Sequence, residues 1–356
     1  MEQATLQEKK VAALQQPNPS KILQIGMGFW ASKVLLAAVK FRLFTMLAGK
    51  SLKAAQVKEV LKLQTTLRHV MDWLDALVSL DLLQREGTGE GATYTNAMDT
   101  NIFLDQNKLS YVGGILEMCN NRLYRFWADL EDGLLTGLPQ NEFKHTGNMQ
   151  FFEDLYKDQA KLAEFVEAMA GIQMGNFIEL AAVFNFSQYK TVADIGGADG
   201  SLSIQICRRH PEVHCHTFDL PPVAPLAKKK ISQFNLDERI EILSGDFIKD
   251  SLPEADVITM GNILHGLDEE TKQVLVKKVY KALPTKGVFI AIENVIDNER
   301  RKNTFGMLMS LNMLIENGNA FDYTLHDFEQ WAFKAGFKRV EQVPLTGPTS
   351  AVIAYK

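Results

Sequence analysis

Three stretches of this 356-residue chain bring carboxylates to the ends of apolar runs, beside residues small enough to admit a ligand. In TVADIGGADGSLSIQI (191–206) a strand-like run reaches Asp194, passes Gly196, Gly197 and Gly200, and turns helical. HTFDLP ends the next strand-like run at Asp219, and LSGDF ends the one after at Asp246. A glycine-rich turn between a strand and a helix lets backbone pass close to a bound molecule. The dinucleotide fingerprint needs G-x-G-x-x-G. Counted from Gly196 the residues are Gly, Gly, Ala, Asp, Gly and Ser, so its second and third glycines are missing.

Three carboxylates would also repel a pyrophosphate. They suit a ligand with an ammonium, ribose hydroxyls, an adenine amino group and a positive sulfur, which is the chemistry of S-adenosylmethionine and, without the charge on sulfur, of its product S-adenosylhomocysteine. Asp219 is then the acceptor for the ribose hydroxyls, the task an acid performs there in dinucleotide folds. Phe247 offers a ring to the adenine face. Leu220 and Gly261 join Asp194, Gly196, Gly197, Gly200 and Asp246 in the expected cofactor set. One aspartate at a strand end is an ordinary turn residue; three in register with a glycine loop carry the reading.

The second chemical feature is His265, in EADVITMGNILHGLDEETKQ, shortly after the run Ala255–Met260 that should be the fourth strand. Open α/β sheets bind ligands at the carboxyl ends of their strands, so His265 and the cofactor open onto one crevice. A phenol, with a pKa of about 10, keeps its proton at neutral pH. It must lose that proton as its oxygen attacks a methyl group. A histidine, titrating near about 6.5, is the natural base, and contributes roughly 10²–10⁴ in rate; in-line positioning contributes more. The other ring nitrogen needs a partner. Either Glu293, ending GVFIAIE, or Asp322, in NAFDYT before the helical run Leu325–Ala335, can supply it. His210, His214, His216 and His326 have no such place and read as structural. No acidic cluster suited to a metal accompanies an acceptor site.

These residues need a scaffold, and from Lys190 onward the chain supplies one. Apolar runs alternate with helical ones, the pattern of a doubly wound α/β sheet. Residues 20–108 read differently: a long helical run, two shorter ones (Leu52–Leu63 and Thr65–Leu80), then two strand-like pieces around Gly87–Gly91. That is the order of a winged helix. Its third helix carries Arg68 and His69 against Asp72, Asp75 and Asp81, a poor surface for phosphates, so a structural or dimerising role outweighs a DNA-binding one. Between these units, 109–186 reads as a helical linker with large side chains, among them Met118, Tyr124, Trp127, Phe151, Phe152, Tyr156 and Met169.

A net charge of −5 likewise speaks against a nucleic-acid partner. The early run ILQIGMGFWASKVLLAAVKFRLFTML is interrupted by Lys33, Lys40 and Arg42, which makes it an amphipathic helix rather than a membrane span. The tail 1–19 has no apolar core of a signal peptide, and Cys119, Cys207 and Cys215 read as free thiols in a reducing compartment. A soluble cytoplasmic protein is expected.

Taken together, DIGGADGSLS, FDLP, GDF, LPEADVITMGNILH and LNMLIENGNAFDYTLHDFEQWAFKAGF resemble the caffeic-acid and acetylserotonin type of O-methyltransferase over nearly the whole chain. The resemblance implies a winged-helix dimerisation domain (20–108), a helical linker contributing to the acceptor pocket (109–186) and a class I methyltransferase Rossmann-like domain (187–356). It implies that His265 is the general base, flanked by Glu293 and Asp322, and that Met169, Met313 and Asn317 line the pocket for a small aromatic acceptor. It implies a homodimer. Two departures stand out: Gly266 and Leu267 replace the usual Asp and Trp after the base, and Ala198 replaces a third glycine. Relatives that methylate nitrogen or carbon, or hold the cofactor without transferring its methyl, are the alternative, and a metabolite-sensing winged-helix regulator is the other.

Overall fold

The computed structural model describes residues 17–108, 110–142, 144 and 155–356. The stretch 1–16, Leu109, Phe151 and Phe152 lie outside them. The chain separates into two compact units, one up to Asn120 and one from Asn121, so the stretch read as a linker is divided between them.

The first unit runs α1 (Ser20–Gly26), α2 (Gly28–Lys40), α3 (Leu43–Leu47), β1 (Leu52–Lys53), α4 (Ala54–Val60), α5 (Leu67–Ser79), β2 (Leu83–Glu86), β3 (Thr93–Asn96), α6 (Met98–Phe103) and α7 (Gly113–Met118). Two expectations are corrected. The early apolar run is not one helix: it breaks at Met27, between two glycines of low helix propensity, and again at Arg42, whose φ is 54°. Leu52 and Lys53, read as the head of a helix, form an antiparallel edge on β3, with Leu52 opposite Tyr94. The helix starts only after Lys53, whose backbone N–H is taken by Gln56 Oε1 at 2.8 Å. α5 starts at Thr66, which caps the His69 N–H, and buries Val70, Leu74 and Leu77 at helical spacing. Its cation Arg68 pairs with Asp72 at 2.9 Å, within the helix.

Much of α1 and α2 is uncovered. Within Ser20–Lys40 an 18-residue window has a mean hydropathy of 1.6, enough by length and composition to cross a membrane, and 17% of that window is buried. Ile22, Ile25 and Trp30 are 73%, 71% and 60% exposed.

The second unit contains α8 (Leu130–Thr136), the long α9 (Gln159–Val183), β4 (Thr191–Ile195), α10 (Ser201–Arg209), β5 (His214–Asp219), α11 (Ala224–Gln233), β6 (Ile240–Ser244), β7 (Val257–Gly261), α12 (Glu269–Ala282), β8 (Val288–Glu293), α13 (Thr304–Asn317), α14 (Leu325–Ala335), β9 (Arg339–Pro344) and β10 (Ser350–Tyr355). Its seven strands lie in the order β6-β5-β4-β7-β8-β10-β9. β4 to β8 pair in parallel; β10 is antiparallel to both β8 and β9. All of β8 is buried, as a central strand covered on both faces must be. One core on one face of the sheet gathers Ile258, Met260, Phe289, Phe328 and Trp331; the other gathers Leu202, Ile206, Val257, Ile290 and Ile353. The connection order reverses at β4, with β5 on one side and β7 on the other, so a ligand crevice is expected at their carboxyl ends.

Candidate active site

The glycine loop lies at that reversal. Gly196 and Gly200 adopt φ of 70° and 76°, a region glycine enters without a steric penalty. A Cβ on Gly197 would stand 2.3 Å from Thr217 Oγ1 and 2.9 Å from the Asp194 carbonyl; one on Gly196 would stand 2.4 Å from Ile263 Cδ1. Ile263 is two residues before His265, so this glycine is what lets the loop and the histidine turn pack together. Ala198 sits where a glycine is usual, at φ 47°.

The carboxylates divide. Asp219 faces the loop: its Oδ2 accepts the Ala198 N–H at 2.9 Å and its Oδ1 the Leu220 N–H at 2.7 Å. Burial raises its pKa, and those two N–H groups hold it partly back. Asp194 turns inward, where its Oδ1 accepts from Thr259 Oγ1 at 2.7 Å. Its burial raises it to about 7, against the Thr259 bond and with the charges of Asp219 and Asp199 adding to the rise. Asp194 braces the floor of the loop. Asp246 closes its own turn through the Ile248 N–H at 2.9 Å and pairs with Lys249 at 3.0 Å. Phe247 packs half-buried against the sheet core, and Gly261 ends β7, its nearest neighbour a Phe177 ring carbon 3.7 Å from an added Cβ. Tyr156, named from the sequence only as one of the linker's large side chains, lies within electrostatic reach of Asp219: burial first and that charge second raise its phenol to about 12. It packs against the small cluster of Leu155, Leu162, Val166 and Val223, as Ala198 does, and no spacing in the sequence singled it out.

Three other elements assemble the second half of the site. A single tight turn, Leu264–Gly266, carries His265. Glu293, at the buried end of β8, accepts the Leu264 N–H at 2.9 Å and the His265 N–H at 3.4 Å through Oε1. Its Oε2 lies 3.1 Å from His265 Nδ1, close but without the alignment of a hydrogen bond. Asp322, between α13 and α14, brings Oδ1 to 3.7 Å from the same nitrogen, and neither of its carboxylate oxygens has a hydrogen bond among the described residues. Glu293 and Asp322 are 1% and 2% exposed. Burial alone would favour a neutral ring, but the two acids outweigh it and raise the pKa of His265 above its ordinary value. Burial likewise raises Asp322, against the pull of His265. The three donor atoms lie within 4.8 Å of one another. Both acids lie on the Nδ1 side of the ring.

Met313 and Asn317 lie on α13, and Asn317 Nδ2 donates to the Gly266 carbonyl at 3.4 Å. A Cβ on Gly266 would meet only that Nδ2, at 3.9 Å, and its φ is not positive; nothing in the backbone requires glycine there. Met169 is half-buried on α9, and no contact among the described residues ties it to the His265 turn.

Comparison with known proteins gives this arrangement its relatives. The O-methyltransferase domain family matches residues 127–338, and the O-methyltransferase dimerisation domain family matches 23–106. The tetracenomycin polyketide synthesis 8-O-methyl transferase TcmO of Streptomyces glaucescens is 33% identical over 95% of this chain and 97% of its own. The N,N-dimethyltransferase OxyT of Streptomyces rimosus is 28% identical over 89% of this chain and 90% of its own. The crystal structure of human N-acetylserotonin methyltransferase in complex with SAM superposes with a TM-score of 0.86 at 26% identity, covering 96% of this chain and 99% of that one. The chain therefore belongs to the O-methyltransferase family, as an enzyme with an attached dimerisation domain.

Proposed function

We propose that this protein transfers a methyl group from S-adenosylmethionine to a hydroxyl of a small aromatic acceptor, with His265 as general base. The observation that carries the proposal is the buried convergence of Glu293 and Asp322 on one ring nitrogen of a histidine whose turn packs against the glycine loop. S-adenosylmethionine is the family's cofactor, supplying a methyl group on positively charged sulfur, and the fit is supported by the loop's own chemistry. The cradle admits backbone only where Cβ atoms are absent, and Asp219 presents a carboxylate already ordered by two N–H groups, ready to accept from a diol. Gly196, Gly197, Gly200 and Leu220 form the cradle; Asp246, Phe247 and Gly261 stand at its margins, with Asp194 beneath.

His265 takes the hydroxyl proton at Nε2 as the acceptor oxygen forms its new bond to carbon and the carbon–sulfur bond breaks. The imidazolium formed is stabilised by Glu293 and Asp322, which lie on the Nδ1 side. Met313 and Asn317 form the acceptor wall beside Gly266, and Met169 contributes from α9. No metal is required for this step, which needs only a base for the hydroxyl proton. The apolar face of α1 and α2 is covered by a second copy of the chain, in keeping with the dimerisation domain match over 23–106, and the free thiols fit the cytoplasm.

The similarity to OxyT favours one second reading, an amine acceptor in the same pocket. A panel of hydroxylated and amino-substituted aromatics, offered with S-adenosylmethionine and a chelator, tests both. S-adenosylhomocysteine and an O-methylated product are expected. An N-methylated product alone supports the second reading, and release of product without S-adenosylhomocysteine overturns both.

A further inference from the structure

Lys272 is the one lysine or arginine among the described residues that is fully buried, at 0% exposure. It stands in the first turn of α12, after the cap Asp268. Its Nζ donates to the Leu267 carbonyl, two residues beyond His265. The same Nζ lies 3.4 Å from the centre of the Phe321 ring and 5.9 Å from that of Trp331, and Phe321 immediately precedes Asp322. One ammonium therefore joins the turn that delivers the histidine to the segment that delivers the second acid. No carboxylate among the described residues closes to ion-pair distance of it. The charges that face it are Glu293 from β8, Asp322 from the loop, and Asp268 and Glu269 from its own helix end; Tyr323 is the other titratable group facing the two acids.

A buried ammonium is costly unless it answers a charge. The charge it can answer is that of the two buried acids beside His265. Glu293 and Asp322 flank a single histidine, which must be neutral to accept a proton. Those three groups alone would then hold two negative charges, and the ring would keep its proton too firmly to act as a base. With Lys272 the buried set carries one negative charge before proton uptake and none after it.

We propose that Lys272 is a positioning residue for His265: it fixes the histidine turn through the Leu267 carbonyl, and its ammonium offsets one of the two buried carboxylates so that the ring holds its proton less firmly than it would beside two unanswered acids. The proposal rests on the reading of His265 as the base. Burial lowers the pKa of the lysine, while Glu293 and Asp322 pull the other way and favour its charged form.

The test is the titration of the His265 ring, followed by NMR in the wild type, Lys272→Met and Lys272→Arg, the signal being assigned by its loss in His265→Ala. A nearby cation disfavours the imidazolium, so Lys272→Met should raise the pKa of His265 by about one unit or more, and Lys272→Arg should leave it nearly in place. The rise of kcat with pH, measured with a phenol that turns over in the panel above, should move to higher pH by the same amount, while KM for S-adenosylmethionine stays within about twofold. An unmoved ring titration in folded Lys272→Met overturns the proposal and leaves the lysine a brace. A moved titration with an unmoved kcat profile upholds the charge role of Lys272 and overturns the reading of His265 as base. Should Lys272→Met fail to fold, the Cε signal of Lys272 in the wild type decides: an ammonium at pH 7 supports the proposal and a neutral amine overturns it.

Discussion

The two halves of the site are built on opposite principles. On the cofactor side each oxygen of Asp219 accepts one backbone N–H and keeps room for another donor, and glycines make the space. Order there comes from sterics and from neutral donors, and the site stands ready before any ligand arrives. On the base side Asp322 has no hydrogen bond among the described residues, Glu293 meets the ring off its donor line, and a buried lysine lies within electrostatic reach of both. That half concentrates unbalanced charge, which is where catalytic groups with shifted pKa values are found. The difference separates a place that binds from a place that reacts, and each should fail in its own way when altered.

The largest effect on cofactor binding is expected at Asp219. Asp219→Ala removes the diol acceptor and the anchor of the Ala198 and Leu220 N–H groups. Hydrogen bonds to a charged group are worth about 1.5–3 kcal/mol, so affinity for S-adenosylhomocysteine by calorimetry should fall by roughly 10–100-fold, with the pH dependence of turnover unchanged. A shifted pH profile would break the separation of the halves. Glu293→Gln is the converse. The amide oxygen still accepts from Leu264 and His265 N–H groups, but the charge that raises His265 is gone. The pH at which kcat reaches half its maximum should fall by about one unit, opposite to the shift expected for Lys272→Met, while cofactor affinity holds. The smallest effect is at Gly266, where a side chain has open space and an allowed backbone. Gly266→Asp should fold with a melting temperature within about 2 °C of the wild type, the change expected of a substitution away from core, cap or strain. Its consequence should appear in KM for bulky acceptors and not for S-adenosylmethionine. A loss of cofactor affinity would mean that Gly266 serves the loop as well as the acceptor wall.

The cofactor half was the more legible in the sequence, and the reason is physical. A positive φ and a missing Cβ are local demands that only glycine meets, so Gly196, Gly197 and Gly200 carry their own meaning, and Asp219 follows from the strand that ends beside them. The alternation from Lys190 onward likewise implied the doubly wound sheet, because each strand and helix buries its own face. The base half depends on residues far apart in the chain. His265, Glu293 and Asp322 were each readable as strand-end or loop residues, but their distances exist only after β7, β8 and the loop before α14 are assembled. Lys272 was illegible for the same reason. In EETKQVLVKKVYKAL it is one of several lysines of an amphipathic helix, and nothing in the spacing distinguishes the one that turns inward. Tyr156 was hidden among other large residues. In the first unit the break of the early helix at Met27 and the strand at Leu52–Lys53 were missed, the first because paired glycines outweighed an apolar run, the second because pairing with β3 overrode a short helical pattern.

The most direct test of the account is methyl transfer by His265→Ala, measured as S-adenosylhomocysteine released with a phenol that the wild type accepts, alongside calorimetric binding of S-adenosylhomocysteine to the same preparation. The account predicts unchanged binding and a kcat lower by roughly 10²–10⁴. Turnover within about twofold of the wild type, with binding intact, would contradict it and remove His265 from the chemistry.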